Sequence, residues 1–204
     1  MISIAVGRCR VEFHFGFAAA VTFLLLADKS GIGIAGAVAA ILHEAGHLIC
    51  MQWLGVPAIR VKFGLFGLEI LEEKRSGEAY TADIFIALAG PFANLVVFLL
   101  LLPFQLFFPS SLCFRLLSVN AVLAAFHLLP VEPLDGGQAL YAALCRRLPI
   151  HTAERLTSAI SFLTLLPLGL LGFLVLLRSR YNFTLLLVSG YLMLLMLLKK
   201  GRYY

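Results

Sequence analysis

Apolar residues arrive in long unbroken blocks, longer than the core-facing stripe that an amphipathic helix of a soluble protein presents. Uncharged runs extend from Ser30 to Ile59, broken only by Glu44, and from Ile84 to Phe114, Leu156 to Leu177 and Tyr181 to Leu198. About 20 apolar residues cross the hydrocarbon of a bilayer, so these four runs predict transmembrane helices. Two shorter runs, Phe13 to Ala27 and Leu116 to Val131, sit near the lower limit. Glu12 and Asp28 can occupy the interfaces of the first, and the second can end inside the membrane. The pattern thus predicts six spans, with an outside loop around Pro103 to Ser111. Between the second and third spans, "AIRVKFGLFGLEILEE" sets Ile59, Val61, Phe63 and Leu65 against Arg60, Lys62 and Gly64, turns near Gly67, and alternates again through Leu68, Glu69 and Ile70. Period two about central glycines predicts a short β-hairpin at the cytoplasmic interface; an irregular amphipathic loop is the alternative. Asp135 to Pro149 reads as a compact turn followed by a short basic helix.

Composition strengthens the membrane reading. Of 204 residues, 61% are hydrophobic and 13% charged, with a mean hydropathy of +0.98, whereas soluble domains run roughly half apolar and about a quarter charged. The fold class predicted is an all-α polytopic membrane protein of about six transmembrane helices with a short interfacial β-hairpin. A single domain is expected over residues 1–204, with no internal repeat and no loop that could hold a PDZ or CBS domain. The first run lacks a small-residue cleavage site, so a retained helix is expected there.

Charge placement gives the orientation, because Lys and Arg accumulate on cytoplasmic loops. With six spans and both termini inside, the cytoplasmic side receives Arg8, Arg10, Arg60, Lys62, Lys74, Arg75, Arg146, Arg147, Arg155, Lys199, Lys200 and Arg202, which is 12 of the 16 basic residues. The net charge of +5 then needs no nucleic-acid partner, since basic loops beside anionic lipid account for it. Cys9, Cys50, Cys113 and Cys145 show no paired spacing that would suggest disulfides or a zinc knuckle.

Polar chemistry interrupts this pattern in "AILHEAGHLI", residues 40 to 49. On a helix, His43 and His47 leave the same face with about 6 Å of axial rise between them, so one metal ion can bridge them. Glu44 lies beside that face and can reach water at the metal's open position, the arrangement of an HExxH metalloprotease with two histidine ligands and a general base. Chance, or two histidines bonding between helices, is the alternative. Ionisable groups within a span are costly and usually functional, and Ala45 and Gly46 leave room for a close neighbour. For a third ligand, Cys50 shares the face but lies about 10 Å along the axis from His43. Asp135, in "LLPVEPLDGGQAL", ranks higher: Pro130 and Pro133 stop the fourth span and Gly136 and Gly137 free the backbone, so a carboxylate can be presented at membrane depth on unwound chain.

Together, His43-Glu44-x-x-His47, the later Pro130-x-x-x-x-Asp135-Gly136, and "GPFAN" from Gly90 to Asn94 resemble the three ordered motifs of the site-2 protease family of intramembrane zinc metalloproteases, over roughly residues 12–140. The resemblance implies that His43, His47 and Asp135 bind Zn2+, that Glu44 is the catalytic base, and that the hairpin can hold a substrate as an added strand. The missing PDZ and CBS domains and the span count look most like the branch of stage IV sporulation protein FB. That branch implies regulated intramembrane proteolysis of a membrane-tethered or membrane-associated regulator, such as a pro-sigma factor, in a bacterial cell membrane, with a membrane inhibitor as a further partner.

One position departs from the family. Where it usually has Asn, three residues before Pro130, this chain has His127. An imidazole can donate to a carbonyl oxygen as charge develops, which keeps a catalytic role for His127, or it can close the metal's open position as an extra ligand. The second possibility motivates an alternative function, a zinc-binding pseudoprotease that sequesters membrane partners; the intact Glu44 argues against it. Asn94, inside the third span, either bonds a neighbouring helix or binds a substrate strand. A metal transporter does not fit, because polar residues do not line successive spans.

Overall fold

The computed structural model describes residues 2–6, 9–16, 30–56, 58–64, 67–72, 80–179 and 183–199, with single positions 18, 19, 22, 26 and 28 between. Of the expected first span, Phe13 to Ala27, positions 17, 20, 21, 23–25 and 27 lie outside the described residues. So do Arg8, Lys29, Lys74, Arg75, Arg180, Lys200 and Arg202 of the charge comparison. In chain order the elements are β1 (Ile2–Val6), β2 (Cys9–Phe13), α1 (Ile32–Trp53), β3 (Ala58–Gly64), β4 (Gly67–Glu72), α2 (Tyr80–Phe107), α3 (Ser111–His127), α4 (Asp135–Cys145), α5 (Ile150–Ser179) and α6 (Thr184–Lys199).

Among the described residues, α1, α2 and α5, at 22, 28 and 30 residues, are long and apolar enough to cross a membrane. The apolar helix α3 has 17 residues, about 26 Å of rise against roughly 30 Å of hydrocarbon. Helices answer the same constraint throughout, since in lipid every backbone N–H and C=O must find its partner within the protein. Large apolar side chains point outward, among them Ile41, Ile49, Phe85, Leu100, Phe104 and Leu163, an arrangement suited to lipid and unfavourable in water. Pro103 does not open a loop as the sequence suggested. The helix runs through it to Phe107, because a single missing N–H is tolerated in a membrane helix that neighbours can support.

The chain forms two compact units, Met1–Ala82 with Ala89–Phe126, and Asp83–Leu88 with His127–Tyr204. The first contains a four-stranded sheet in the order β1-β2-β3-β4. β1 and β2 pair antiparallel, Ile2 opposite Phe13 through Val6 opposite Cys9. β2 and β3 run parallel, Arg10 opposite Arg60 through Phe13 opposite Phe63, which requires a long crossover, and residues 14–57 including α1 supply it. β3 and β4 pair antiparallel from Ala58 opposite Glu72 to Gly64 opposite Gly67, with an irregularity between Ala58 and Arg60.

α1 begins after Gly31, which takes the left-handed region (φ 75) that favours glycine. The residues before it satisfy the exposed amides of the first turn: Gly33 N–H donates to Asp28 Oδ2 (2.6 Å) and Ile32 N–H to Ser30 Oγ (3.2 Å). Ser30 also donates its hydroxyl to Asp28 Oδ1 (2.6 Å), and this bond holds the Asp28 carboxyl below its ordinary range. Farther along, α1 and α2 come into backbone contact. A Cβ on Gly46 would lie 2.6 Å from the Ala89 carbonyl oxygen and 2.8 Å from Ala93 Cβ, so glycine permits the approach.

In the second unit, the segment after α3 folds back over the start of α4. A Cβ on Gly136 would collide with the Leu128 carbonyl, and one on Gly137 with that of Val131. Ser161 of α5 ties the same segment down, accepting from Glu132 N–H (2.9 Å) and approaching the Pro130 carbonyl (3.3 Å). α5 then packs on α6, and closely at Gly172, where a Cβ would lie 2.6 Å from Leu186 N.

Candidate metal centre

His43 and His47 are one turn apart on α1, and both are buried, 2% and 8% exposed. Their rings meet edge to face with centroids 4.9 Å apart, and the two Nε2 atoms face each other at 3.2 Å. Two nitrogens bound at about 2.0–2.1 Å to one tetrahedral zinc stand about 3.3 Å apart. The pair therefore has the spacing of two ligands on one ion. Glu44 follows His43 on the same turn and is half-buried.

Gly90 of α2 faces both Nε2 atoms. A Cβ there would collide with His47 Nε2 and lie 2.7 Å from His43 Nε2, so only glycine leaves the space in front of the two nitrogens open. One turn on, Asn94 is 0% exposed. Its Oδ1 lies 2.6 Å from His43 Nδ1, and its Nδ2 donates to the Ala39 carbonyl (3.0 Å) and to Asn120 Oδ1 (2.8 Å). Its amide oxygen and both amide hydrogens are thus engaged on neighbouring helices. These bonds fit the interhelical role, one of the two that the sequence leaves open for Asn94.

In the second unit, His127 ends α3 and Asp135 begins α4. His127 Nδ1 lies 2.8 Å from Asp135 Oδ2, with the side chains 27% and 12% exposed. An Nδ1–H donor there orients the carboxylate. Asp135 is not on unwound chain, as the sequence suggested: Leu134 is extended (φ −98, ψ 163) and Asp135 is the first helical residue. The irregular stretch is instead 128–134. Gly136 and Gly137 serve the close approach of that stretch, and the helix N-terminus favours the carboxylate charge.

The first unit thus brings together His43, His47 and Asn94, with Glu44 on the same turn of α1, and the second brings His127 against Asp135. Asn120 and Ser161 were not singled out in the sequence. The signal for Asn120 was present, a lone amide in the run from Leu116 to Val131 and 0% exposed in the fold. Ser161 had none, being a hydroxyl that a helix can satisfy alone.

No known family model matches the chain. Over 115 residues, 54% of this chain, it is 29% identical to a zinc metalloprotease of Methanocaldococcus jannaschii. Over 107 residues, 49% of this chain, it is 35% identical to a Synechocystis protein provisionally named a zinc metalloprotease. The matches span 33% and 27% of those relatives' lengths. In fold, the chain is similar to the site-2 protease from Methanocaldococcus jannaschii, with a TM-score of 0.65 and 25% identity, covering 94% of this chain and 92% of that one.

Proposed function

Taking the chain as a member of the site-2 protease family, as its zinc metalloprotease relatives and its fold support, we propose that it is an intramembrane zinc metalloprotease, hydrolysing a peptide bond of a membrane-embedded or membrane-associated regulatory protein near the cytoplasmic face. The observation that carries this reading is the His43–His47 pair at 3.2 Å, buried in an apolar helix and faced by a glycine. His43, His47 and Asp135 hold the zinc. Bound there, zinc supplies a Lewis acid that acidifies water and polarises a carbonyl.

The chain's own groups do the rest. Glu44 accepts the proton of the attacking water and passes it to the leaving amine. Asn94 orients His43, and His127 orients Asp135 through the Nδ1 contact. A helical substrate unwinds before cleavage, because its carbonyls are otherwise held in its own hydrogen bonds; β4, paired with β3 on one side and at the edge of the sheet on the other, offers an extended edge at the cytoplasmic interface to receive it. A pro-sigma factor is one regulator of this kind, and a membrane inhibitor is a natural partner. Both termini are cytoplasmic in this reading, in a bacterial cell membrane, and the protease core spans about residues 12–140 of one domain.

The test is Glu44→Gln in purified full-length protein with zinc content measured. Loss of the base lowers cleavage of a single-span model substrate by about 10²-fold or more with zinc retained. Undiminished cleavage overturns the mechanism.

A further inference from the structure

Two backbone carbonyls, which can only accept, fix the direction of a buried chain of hydrogen bonds. Leu116 C=O receives Asn120 Nδ2 (2.8 Å), so Asn120 turns Oδ1 toward Asn94. Ala39 C=O receives Asn94 Nδ2 (3.0 Å), and the second hydrogen of that nitrogen goes to Asn120 Oδ1 (2.8 Å). Asn94 must then present Oδ1 to His43 Nδ1, 2.6 Å away. An oxygen facing Nδ1 requires the proton to be there, and a neutral imidazole protonated at Nδ1 has its lone pair on Nε2. That is the atom facing His47 Nε2 and Gly90.

We propose that Asn120, one hydrogen bond beyond Asn94, is a positioning residue for His43: through Asn94 it holds the His43 ring in the tautomer whose Nε2 can bind a divalent cation. The two asparagines are both 0% exposed, so a lost partner cannot be replaced by water. Removing the Asn120 oxygen strands one Asn94 N–H. The amide then turns to recover it and draws Oδ1 away from His43 Nδ1. This role rests on the metalloprotease reading for its purpose, yet the tautomer itself is a property of the metal-free protein.

The experiment uses full-length protein in detergent, in wild-type, Asn120→Leu and Asn120→Asp forms. Leu keeps the volume and removes the acceptor; Asp keeps the acceptor oxygen. Nitrogen-15 NMR of 15N-histidine-labelled, metal-free wild type, with His43 assigned from a His43→Gln variant, should report His43 protonated at Nδ1. In Asn120→Leu, Co2+ binding should weaken by about 10- to 100-fold, the range for outer partners of a metal site, with altered d–d absorption and the Nδ1–H signature of His43 lost. Asn120→Asp should restore both. An Nε2–H His43 in the wild type overturns the proposal without any variant. So does an Asn120→Leu protein with unchanged Co2+ affinity and spectrum, or an Asp variant as impaired as Leu. A wild type that binds no Co2+ while His43 stays protonated at Nδ1 defeats the metalloprotease reading and leaves this assignment standing.

Discussion

The bond from His127 to Asp135 offers an account of how a histidine can stand where the family resemblance leads one to expect asparagine. Nδ1 at 2.8 Å from Asp135 Oδ2 is a contact that an amide N–H can make equally well, because both groups donate to a carboxylate from a short side chain. His127→Asn is therefore expected to keep zinc and to leave cleavage within about tenfold of wild type, whereas His127→Leu removes the donor and weakens zinc binding by about 10- to 100-fold. Zinc titration and cleavage of one substrate by both variants check this. If His127→Asn instead creates activity that the parent lacks, the imidazole is blocking the open position, and the sequestering pseudoprotease becomes the better account.

Packing between helices makes its own prediction where α5 meets α6. Gly172 has no room for a methyl group, with Leu186 N and Cα at 2.6 and 2.8 Å from the position of a Cβ, while Gly190 on α6 has nothing within 4 Å. Without a hydrophobic force between helices in lipid, such close contact is a main source of association. Gly172→Ala should cost about 1–3 kcal/mol as an overpacked contact, read as a lower unfolding midpoint in detergent, and Gly190→Ala should be neutral or slightly stabilising. These contacts show why elements are easier to read in a sequence than their packing. The uncharged runs after Ser30 announce helices because length and apolarity alone decide whether a segment can cross lipid. Their ends are less legible: Pro103 looks like a stop, yet the helix continues to Phe107. The strand β2 was harder still, since its parallel partner β3 begins 45 residues after β2 ends, at Ala58 after Phe13, and no local pattern encodes so distant a pairing.

At the scale of the whole molecule, the legible part of the site is what a single helix encodes. His43, Glu44 and His47 declare themselves because i and i+4 share a face, while Asn120 acts only through a neighbour on another helix, which spacing within its own run cannot reveal. The orientation of the chain is the remaining whole-molecule property, and it can be checked apart from catalysis. With 12 of 16 basic residues assigned to one side, the segment between α4 and α5 is expected to face the cytoplasm and the segment between α2 and α3 to face out. Exposed probes stand at both places, His151 at the start of α5 with its side chain 92% exposed and Ser110 just before α3. In a background with Cys9, Cys50, Cys113 and Cys145 replaced, a membrane-impermeant maleimide added to intact cells should label Ser110→Cys and spare His151→Cys, which reacts only after permeabilisation. The reverse pattern would invert the orientation and move the cleavage chemistry to the other face of the bilayer. Labelling of both positions in intact cells would mean that α3, the short apolar helix ending at His127, does not carry the chain across, and the count of six spans would fall.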